Sequence, residues 1–310
     1  MKRFLLRILG CVRQALPKAS KLCLWLMKII LPISLLVRLL QYWGVIDYIS
    51  EFLAPIFNFI GLPGESAIVF ITSCFLPLYA PIAVMTSIVL TMREATILAI
   101  MCLISHNLPV ECAITHKTGS PFWRMVALRV AMSFVAAICL NWVLPAYPEP
   151  FGMITQPESY ANVGELVKAW AITSVSLIFT IILIVTGLMT LHRILEEFKL
   201  LDKISAPIAP VMHFFGMSDK ASFLWIVGNL VGLSYGGAIM VDMVDNSKIS
   251  KSEAHYVNSH LSMSHSLIED TLLFVVLGIS VWWIMGTRLV FALIVVWVMR
   301  AVKLMNQRNR

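Results

Sequence analysis

The feature that most constrains the fold is a series of apolar stretches that are each long enough to cross a lipid bilayer. Residues 66–92 contain no charged side chain, and neither do residues 169–191. A membrane-spanning helix needs about 20 mostly apolar residues, and both stretches reach that length. Of the whole chain, 59% is hydrophobic and 13% is charged, whereas soluble domains carry about 25% charged residues. The sequence therefore predicts an all-α polytopic membrane protein.

Basic residues are concentrated at the two ends of the chain. Lys2, Arg3 and Arg7 precede the first apolar run, and Arg300 and Lys303 follow the last one. Because Lys and Arg are enriched on the cytoplasmic side of membrane spans, we expect a multi-pass protein of the cytoplasmic (inner) membrane with both termini in the cytoplasm. The net charge of +7 does not indicate nucleic-acid binding, since these residues flank membrane segments. Residues 1–21 are predicted to form a basic amphipathic segment on the inner leaflet.

The second half of the chain repeats features of the first. Residues 146–166 are rich in proline and acidic residues and contain no basic residue, which predicts a linker between residues 22–145 and residues 167–310. Polar residues and prolines match in order between the halves at nearly constant spacing, with one shift of a helical turn. The matched pairs include Arg38 with Arg193, Asp47 with Asp202, Pro55 with Pro210, Gly61 with Gly216, His106 with His265 and Arg129 with Arg288. We interpret the halves as two internal repeats, whose parallel or inverted orientation stays open.

One motif occurs in both repeats and places ionisable side chains inside predicted membrane helices. It reads Ser-His-x-Leu-x-x-acid, beginning at Ser105 and at Ser264, and the two copies are 159 positions apart. Ionisable groups at that depth are costly, so they usually face a bundle interior or a cavity and belong to a pathway or a site. The motif therefore predicts a shared site where the repeats meet.

Helical spacing selects the side chains that would line this site. In continuous helices, Asn107 and Glu111 share one face, and Ser262, His265 and Glu269 share another. The predicted substrate-binding residues are Ser105, His106, Asn107, Glu111, Ser262, His265, Glu269, Asp270 and Asn229. The alternative is that these groups only satisfy one another through interhelical hydrogen bonds.

A metal site would be a narrower version of this site. His255, His260 and His265 are spaced by five, which turns successive rings about 140° apart on an α-helix. His265 with Glu269, four residues later, is a better pair, and His106 could complete it. We predict neither a metal site nor a cofactor on this basis. The six cysteines form no Cys-x-x-Cys pair and are expected to be reduced thiols.

Prolines and glycines predict irregular membrane helices. Pro77 and Pro81 interrupt the apolar stretch 66–92, so we expect a broken or re-entrant helix there. Gly228, Gly232 and Gly236 lie in the corresponding part of the second repeat. They indicate either close helix packing or an unwound stretch of backbone.

The segments Gly61-Leu62-Pro63-Gly64-Glu65 and 105–111 resemble the Gate, or nucleoside recognition, domain family. That family includes spore-maturation membrane proteins, and related Gate domains occur in nucleoside and ferrous-iron transporters. Cys74 and Pro77 resemble the Cys-x-x-Pro of the iron-transporter gates, but Phe75 stands where a polar residue is expected, which speaks against iron transport. The resemblance implies a membrane protein of two Gate-like repeats.

These features predict an integral membrane transporter or permease for a small polar solute, nucleoside-like or anionic, with its site at the repeat interface. The alternative is a membrane scaffold or assembly factor without transport activity; a membrane enzyme acting on lipid head groups would need its His and acidic residues at the interface. No Walker loop or Gly-x-Ser-x-Gly motif is present, so we do not expect an enzyme. The expected partners are membrane lipid and the solute, without nucleic acid. Coupling to H⁺ or Na⁺, a homo-oligomer and a partner membrane protein stay open.

Overall fold

The computed structural model describes residues 2–152, 160–198, 210–212, 214, 221–230 and 232–308. Most of these residues are helical, and the described part contains an isolated bridge between Thr91 and Pro150 but no β-strand. The chain forms two compact units, Met1–Leu98 with Asn141–Lys199 and Ala99–Leu140 with Leu200–Arg310. Each unit takes segments from both predicted repeats. The repeat boundaries thus stay a prediction from sequence.

The first unit is built on two long helices that pack side by side. Helix α1 (Lys2–Tyr42) contacts α8 (Val163–Glu197), and around them lie α2 (Val45–Phe59), α3 (Ser66–Phe75), α4 (Tyr79–Met85) and the start of α5 (Met92–Ser105). Arg7 forms a 2.9 Å ion pair with Glu197 at one end of the α1–α8 pair. Trp170 donates its indole N–H to Ser34 Oγ at 2.9 Å farther along.

Some prolines of this unit lie inside continuous helices, and another lies between two helices. Pro17 and Pro32 lie inside the continuous helix α1, which passes without interruption through the predicted boundary at residue 21. Pro55 likewise lies inside the helix α2. The break expected at Pro77 is present, because α3 ends at Phe75 and α4 begins at Tyr79. The predicted broken helix is thus confirmed.

The second unit contains the remainder of α5 and the helices that carry the motif. These are α6 (Leu108–Lys117), α7 (Phe122–Val143), α9 (Ala221–Leu230), α10 (Leu233–Asp245), α11 (Lys251–Ser264), α12 (Glu269–Val275) and α13 (Val281–Arg308). Helix α11 begins with a capping box, in which Ser250 Oγ accepts from the Glu253 N–H and the Glu253 carboxylate accepts from the Ser250 N–H.

Three segments of the described residues are long and apolar enough to cross a membrane, judged by length and composition. They are Met92–Lys117, which comprises α5 and α6, Phe122–Val143 and Val281–Gln307. The first of them is the most buried within the protein, as expected for a segment that carries polar groups. This confirms the all-α membrane fold.

The predicted linker and part of the predicted repeat are only partly described. At the beginning of the linker, the Phe151 N–H donates to Leu90 O at 2.8 Å, and the Met92 N–H donates to Glu149 O at 2.7 Å. Residues 153–159 lie outside the described residues, and so do Asp202 and Gly216 of the proposed repeat matches.

Candidate functional site

The two motif histidines face each other. His106 directly follows α5 and His265 directly follows α11, and their Nε2 atoms lie 3.2 Å apart. Both side chains are buried, with 6% and 1% of the residue exposed. Both lie in the second compact unit. The structure thus brings together the two residues that the repeat predicted to meet.

Backbone carbonyls fix the protonation pattern of both rings. His106 Nδ1 lies 3.2 Å from Cys102 O, and His265 Nδ1 lies 2.8 Å from Leu261 O, each contact spanning four residues of the preceding helix. A carbonyl oxygen can only accept, so each Nδ1 carries the hydrogen. In a neutral imidazole the other nitrogen is then an acceptor. When both rings are neutral, the facing Nε2 atoms therefore present lone pairs to each other.

Glu111 connects both histidines to a buried arginine. Its Oε1 lies 3.2 Å from His106 Nε2, and its Oε2 lies 3.3 Å from His265 Nε2. Arg129 Nη1 donates to Glu111 Oε2 at 2.6 Å. The other guanidinium nitrogens of Arg129 donate to Ile104 O at 2.6 Å and to His106 O at 2.9 Å. Arg129 therefore satisfies the carbonyls left free at the end of α5 and neutralises the carboxylate.

The second motif copy has the same arginine contacts to the backbone, but its acid does not form the matching hydrogen bond. Arg288 donates from Nε to Met263 O at 2.9 Å and from Nη2 to His265 O, at the sequence separations that Arg129 uses. Asp270 stands where Glu111 does in the first copy, but its Oδ2 is 3.8 Å from Arg288 Nη2 and 4.0 Å from His106 Nε2. Among the described residues, Asp270 Oδ2 and Arg288 Nη1 are buried without a hydrogen-bond partner. The second half of the site thus keeps an open carboxylate.

Left-handed residues end the helices at this point. Asn107 has φ 51° and Ser266 has φ 49°, and each directly follows a motif histidine. A third break lies beside them, because Gly232 has φ 91° between α9 and α10 and the Ser266 N–H donates to Gly228 O at 3.0 Å. Pro109 lies in the first turn of α6, where its missing N–H leaves no helical bond unmade.

The helix breaks correct the predicted shared faces. Helix α11 ends at Ser264 and α12 begins at Glu269, so Ser262, His265 and Glu269 do not lie on one continuous helix face. Asn107 is the left-handed N-cap of α6, and its carbonyl accepts from the Glu111 N–H at 3.1 Å. Its side chain therefore does not follow the helical periodicity that the predicted shared face assumed. The carboxylate that reaches the histidines in the second copy is that of Asp270, and Glu269 lies half-buried in the first turn of α12.

The other predicted residues occupy the surroundings of the histidine pair. Ser105 Oγ donates to Arg129 O at 3.1 Å, and Ser262 Oγ donates to Ser259 O at 2.8 Å. Asn229 donates to Trp225 O at 2.9 Å, and its Oδ1 is buried without a partner among the described residues. These three side chains are buried near helix breaks, but the described contacts do not join Asn229 to a histidine.

Arg129 and Arg288 were not among the predicted site residues. They are 1% and 0% exposed, and each follows its motif histidine at the same distance in sequence. The signal was available, because an arginine within an apolar span requires buried partners. The matched position of Arg288 in the second repeat carries the same signal.

Residues 23–117 match the family described as Gate: nucleoside recognition. The chain is also 31% identical over 270 residues to an uncharacterized membrane protein of Bacillus subtilis (strain 168), YvoD, and the alignment covers 86% of each chain. No solved structure matches the chain. The matched family region includes the first motif copy and the helix break after His106.

Proposed function

Because this chain belongs to the Gate (nucleoside recognition) family of membrane proteins, we propose that it is a transporter or permease that moves a small polar solute across the cytoplasmic membrane. The observation that supports this proposal is the cluster of buried ionisable side chains where the helix breaks meet. The cluster comprises His106, His265, Glu111, Asp270, Arg129 and Arg288.

The depth of the histidine pair favours a transport site. His106 follows the 14 residues of α5 within the 26-residue apolar segment Met92–Lys117. At 1.5 Å per residue, it lies about 20 Å along α5 from Met92. Ionisable groups at such depth typically serve a substrate or ion pathway. An enzyme acting on lipid head groups would instead need these groups at the membrane surface.

The broken helices favour the same function. Transporters commonly place their binding sites beside interrupted helices, whose free backbone groups can contact a solute or an ion. Here the interruptions after His106, after His265 and at Gly232 lie in one compact unit, and the first two are in contact through the histidine rings. A packed bundle without such a role would not need three interruptions there.

A cavity near the start of α11 is suited to receive the solute. Its volume is about 560 Å³, and its lining includes Arg124, His255, Tyr256 and Lys303. His255 Nε2 is buried without a hydrogen-bond partner among the described residues, so it can bind a polar group. Small-ligand pockets measure about 300–1,000 Å³. The two cationic residues favour an anionic or strongly polar solute over an apolar one.

The cavity and the histidine pair lie at different depths. His255 precedes His265 by ten residues, which is about 15 Å along a helix and about half the thickness of the hydrocarbon core. We interpret the cavity as an entrance and the histidine pair as the inner site.

The basic ends of the chain favour a cytoplasmic position for both termini, and H⁺ and Na⁺ both stay open as coupling ions.

The alternative is an assembly factor, and one observation favours it. Each guanidinium nitrogen of Arg129 donates to a protein group, namely Ile104 O, His106 O and Glu111. If the role were purely structural, we would expect every buried polar group of the cluster to have a hydrogen-bond partner. The unpartnered oxygen of Asp270 and nitrogen of Arg288 argue against it.

A ligand screen tests the transport proposal. Purified protein is heated with nucleosides, organic anions and inorganic cations, and each solute that raises the melting temperature is then tested for uptake into proteoliposomes. We expect at least one solute to stabilise the wild type and to enter the vesicles. The variant His106→Gln/His265→Gln is expected to lose both effects.

His116→Gln is the matched control, because His116 is exposed near the end of α6. It should behave as the wild type does. If no solute stabilises the wild type more than the double variant, or if bound solutes never cross the membrane, the transport proposal is wrong and the assembly role gains support.

A further inference from the structure

The geometry points to a reversible binding site for a divalent transition-metal ion of the Zn²⁺ type between the motif histidines. The proposed ligands are His106 Nε2, His265 Nε2, one oxygen of Glu111 and one oxygen of Asp270. All four lie in the same compact unit. The inference concerns binding alone and does not depend on the transport proposal.

The Nε2 atoms of His106 and His265 point their lone pairs toward the proposed metal position. Both Nδ1 atoms donate to carbonyls of the preceding helix, Cys102 O and Leu261 O, so both Nε2 atoms are acceptors when the rings are neutral. They lie 3.2 Å apart, and the Glu111 oxygens lie 3.2 and 3.3 Å from them. Two facing acceptor nitrogens beside a carboxylate repel these neighbours unless a proton or a metal ion lies among them.

The distances between the proposed ligand atoms can be compared with those around a tetrahedral zinc ion. Zn–N and Zn–O bonds measure about 2.0–2.2 Å, so two ligands of a tetrahedral ion lie about 3.3–3.6 Å apart. The contacts of His106 Nε2 are 3.2 Å to His265 Nε2, 3.2 Å to Glu111 Oε1 and 4.0 Å to Asp270 Oδ2. The distances from His106 Nε2 to His265 and Glu111 are thus close to tetrahedral spacing, and the oxygen of Asp270 would have to move closer to join them.

The carboxylate of Asp270 has an oxygen atom that lacks a hydrogen bond within the described part of the chain. Asp270 Oδ2 is a buried oxygen, in a residue that is only 7% exposed, and it has no hydrogen-bond partner among the described residues. Arg288 Nη2 and His106 Nε2 stay 3.8 and 4.0 Å away, too far for a hydrogen bond, and a buried polar atom without a hydrogen bond is costly. A metal ion beside His106 would supply the missing partner.

The surrounding groups resemble the outer shell of a metal site. Ligating histidines usually donate their other N–H to a carbonyl or carboxylate, and ligating carboxylates are themselves hydrogen-bonded. Both histidines meet the first condition, and Glu111 meets the second through Arg129 Nη1 at 2.6 Å. The positive charges of Arg129 and Arg288 weaken the binding of a cation, which favours reversible over permanent occupancy.

The donor types select the class of metal. Two imidazole nitrogens and two carboxylate oxygens suit Zn²⁺ and its borderline neighbours such as Co²⁺. Mg²⁺ and Ca²⁺ prefer all-oxygen sites. A copper(I) site would need thiolate or thioether ligands.

Metal titration of the full-length protein tests the site. Protein in detergent, stripped with a chelator, is titrated with Zn²⁺ by calorimetry and with Co²⁺ by visible absorption, which distinguishes tetrahedral from octahedral cobalt. We expect one ion per chain and tetrahedral cobalt bands. Asp270→Asn, which keeps the shape of the side chain, should weaken binding tenfold or more, and His106→Gln/His265→Gln should abolish it.

Two exposed residues provide matched controls. Asp245→Asn and His116→Gln remove the same groups at positions exposed to solvent, and both should bind within twofold of the wild type. If the wild type binds no ion, or if the histidine variant binds as well as the wild type, the metal site is overturned, and a shared proton is then the cation between the rings. Binding without uptake of any solute would leave this inference standing while the transport proposal fails.

Discussion

Arg129 donates a 2.6 Å hydrogen bond to Glu111, five residues beyond the first motif histidine. Asp270 is the corresponding acid of the second copy, and its carboxylate stays 3.8 Å from Arg288. The difference is close to one carbon–carbon bond, about 1.5 Å, which is the length that Asp lacks relative to Glu. Arg129 and Arg288 thus make equivalent hydrogen bonds to backbone carbonyls, but the shorter side chain of Asp270 does not reach its arginine.

We expect Asp270→Glu to stabilise the metal-free protein. The longer side chain can reach Arg288 and form the ion pair that the first copy has, and a hydrogen bond to a charged group contributes about 1.5–3 kcal/mol. Some of this gain is offset by fitting an extra methylene into a packed site, so the net increase should be about 1 kcal/mol. Chemical unfolding in detergent with a chelator present measures it.

The reverse exchange, Glu111→Asp, is the matched control. It breaks the contact with Arg129 and should lower the free energy of unfolding by about 1.5–3 kcal/mol. Equal destabilisation by the two exchanges would show that side-chain length is not what separates the two halves.

Removal of Arg129 should destabilise the protein more than removal of Arg288. Arg129→Met leaves the Glu111 carboxylate buried without its partner, which costs about 3–5 kcal/mol, and also frees two carbonyls. Arg288→Met frees two carbonyls but breaks no close ion pair, and should cost at least 1 kcal/mol less, since a lost hydrogen bond is worth about that much. Thermal unfolding of both variants gives the comparison.

A double variant sharpens this test. Arg129→Met/Glu111→Leu removes both charges, so it should be more stable than Arg129→Met alone. A double variant that is less stable than the single one would mean that Glu111 is stabilised by the histidines and not by Arg129.

Ser266→Gly should be neutral or stabilising. Ser266 has φ 49°, and an L-residue in the left-handed region loses roughly 1–2 kcal/mol that glycine does not. Glycine also gains entropy when unfolded, which offsets part of the benefit. Ser262→Gly, in the interior of α11, is the control and should lose about 1 kcal/mol. If both exchanges destabilise equally in chemical unfolding, the left-handed backbone at Ser266 carries no strain.

The sequence predicted the meeting of His106 and His265 because the repeated motif specifies partners without any knowledge of helix ends. The predicted shared face of Ser262, His265 and Glu269 is wrong, since it assumed one continuous helix from Ser262 onward. The left-handed Ser266 interrupts that helix and brings Asp270 to the site instead. A serine carries no strong signal for positive φ, so periodicity alone could not locate this break. The motif itself, read by position and not by helical face, does identify Asp270.

The long helices show a second limit of sequence patterns. A proline in a helix interior often kinks or breaks the helix, but Pro32 and Pro55 lie inside continuous ones. Pro77 does separate α3 from α4. Neighbouring groups can take up the bonds that a proline leaves unmade in a membrane helix, and the sequence does not show which prolines have such neighbours.

Gly61 is required at the turn before α3 for two separable reasons. Its φ is 77°, and a Cβ placed there would lie 2.0 Å from Asn141 Oδ1. That oxygen is held by Arg93 Nη2 at 2.7 Å, so the amide cannot move aside without breaking the contact. Gly152 has nearly the same φ, 75°, but nothing lies within 4 Å of its Cβ position.

Gly61→Ala and Gly152→Ala therefore share the backbone penalty of roughly 1–2 kcal/mol and differ in packing. We expect Gly61→Ala to lose about 1–3 kcal/mol more in chemical unfolding, which is the usual penalty of overpacking. Gly61→Ala/Asn141→Ala should recover part of that difference, because the clashing amide is gone. Equal losses for the two single variants would show that Asn141 yields freely, and Arg93 would then not hold it in place.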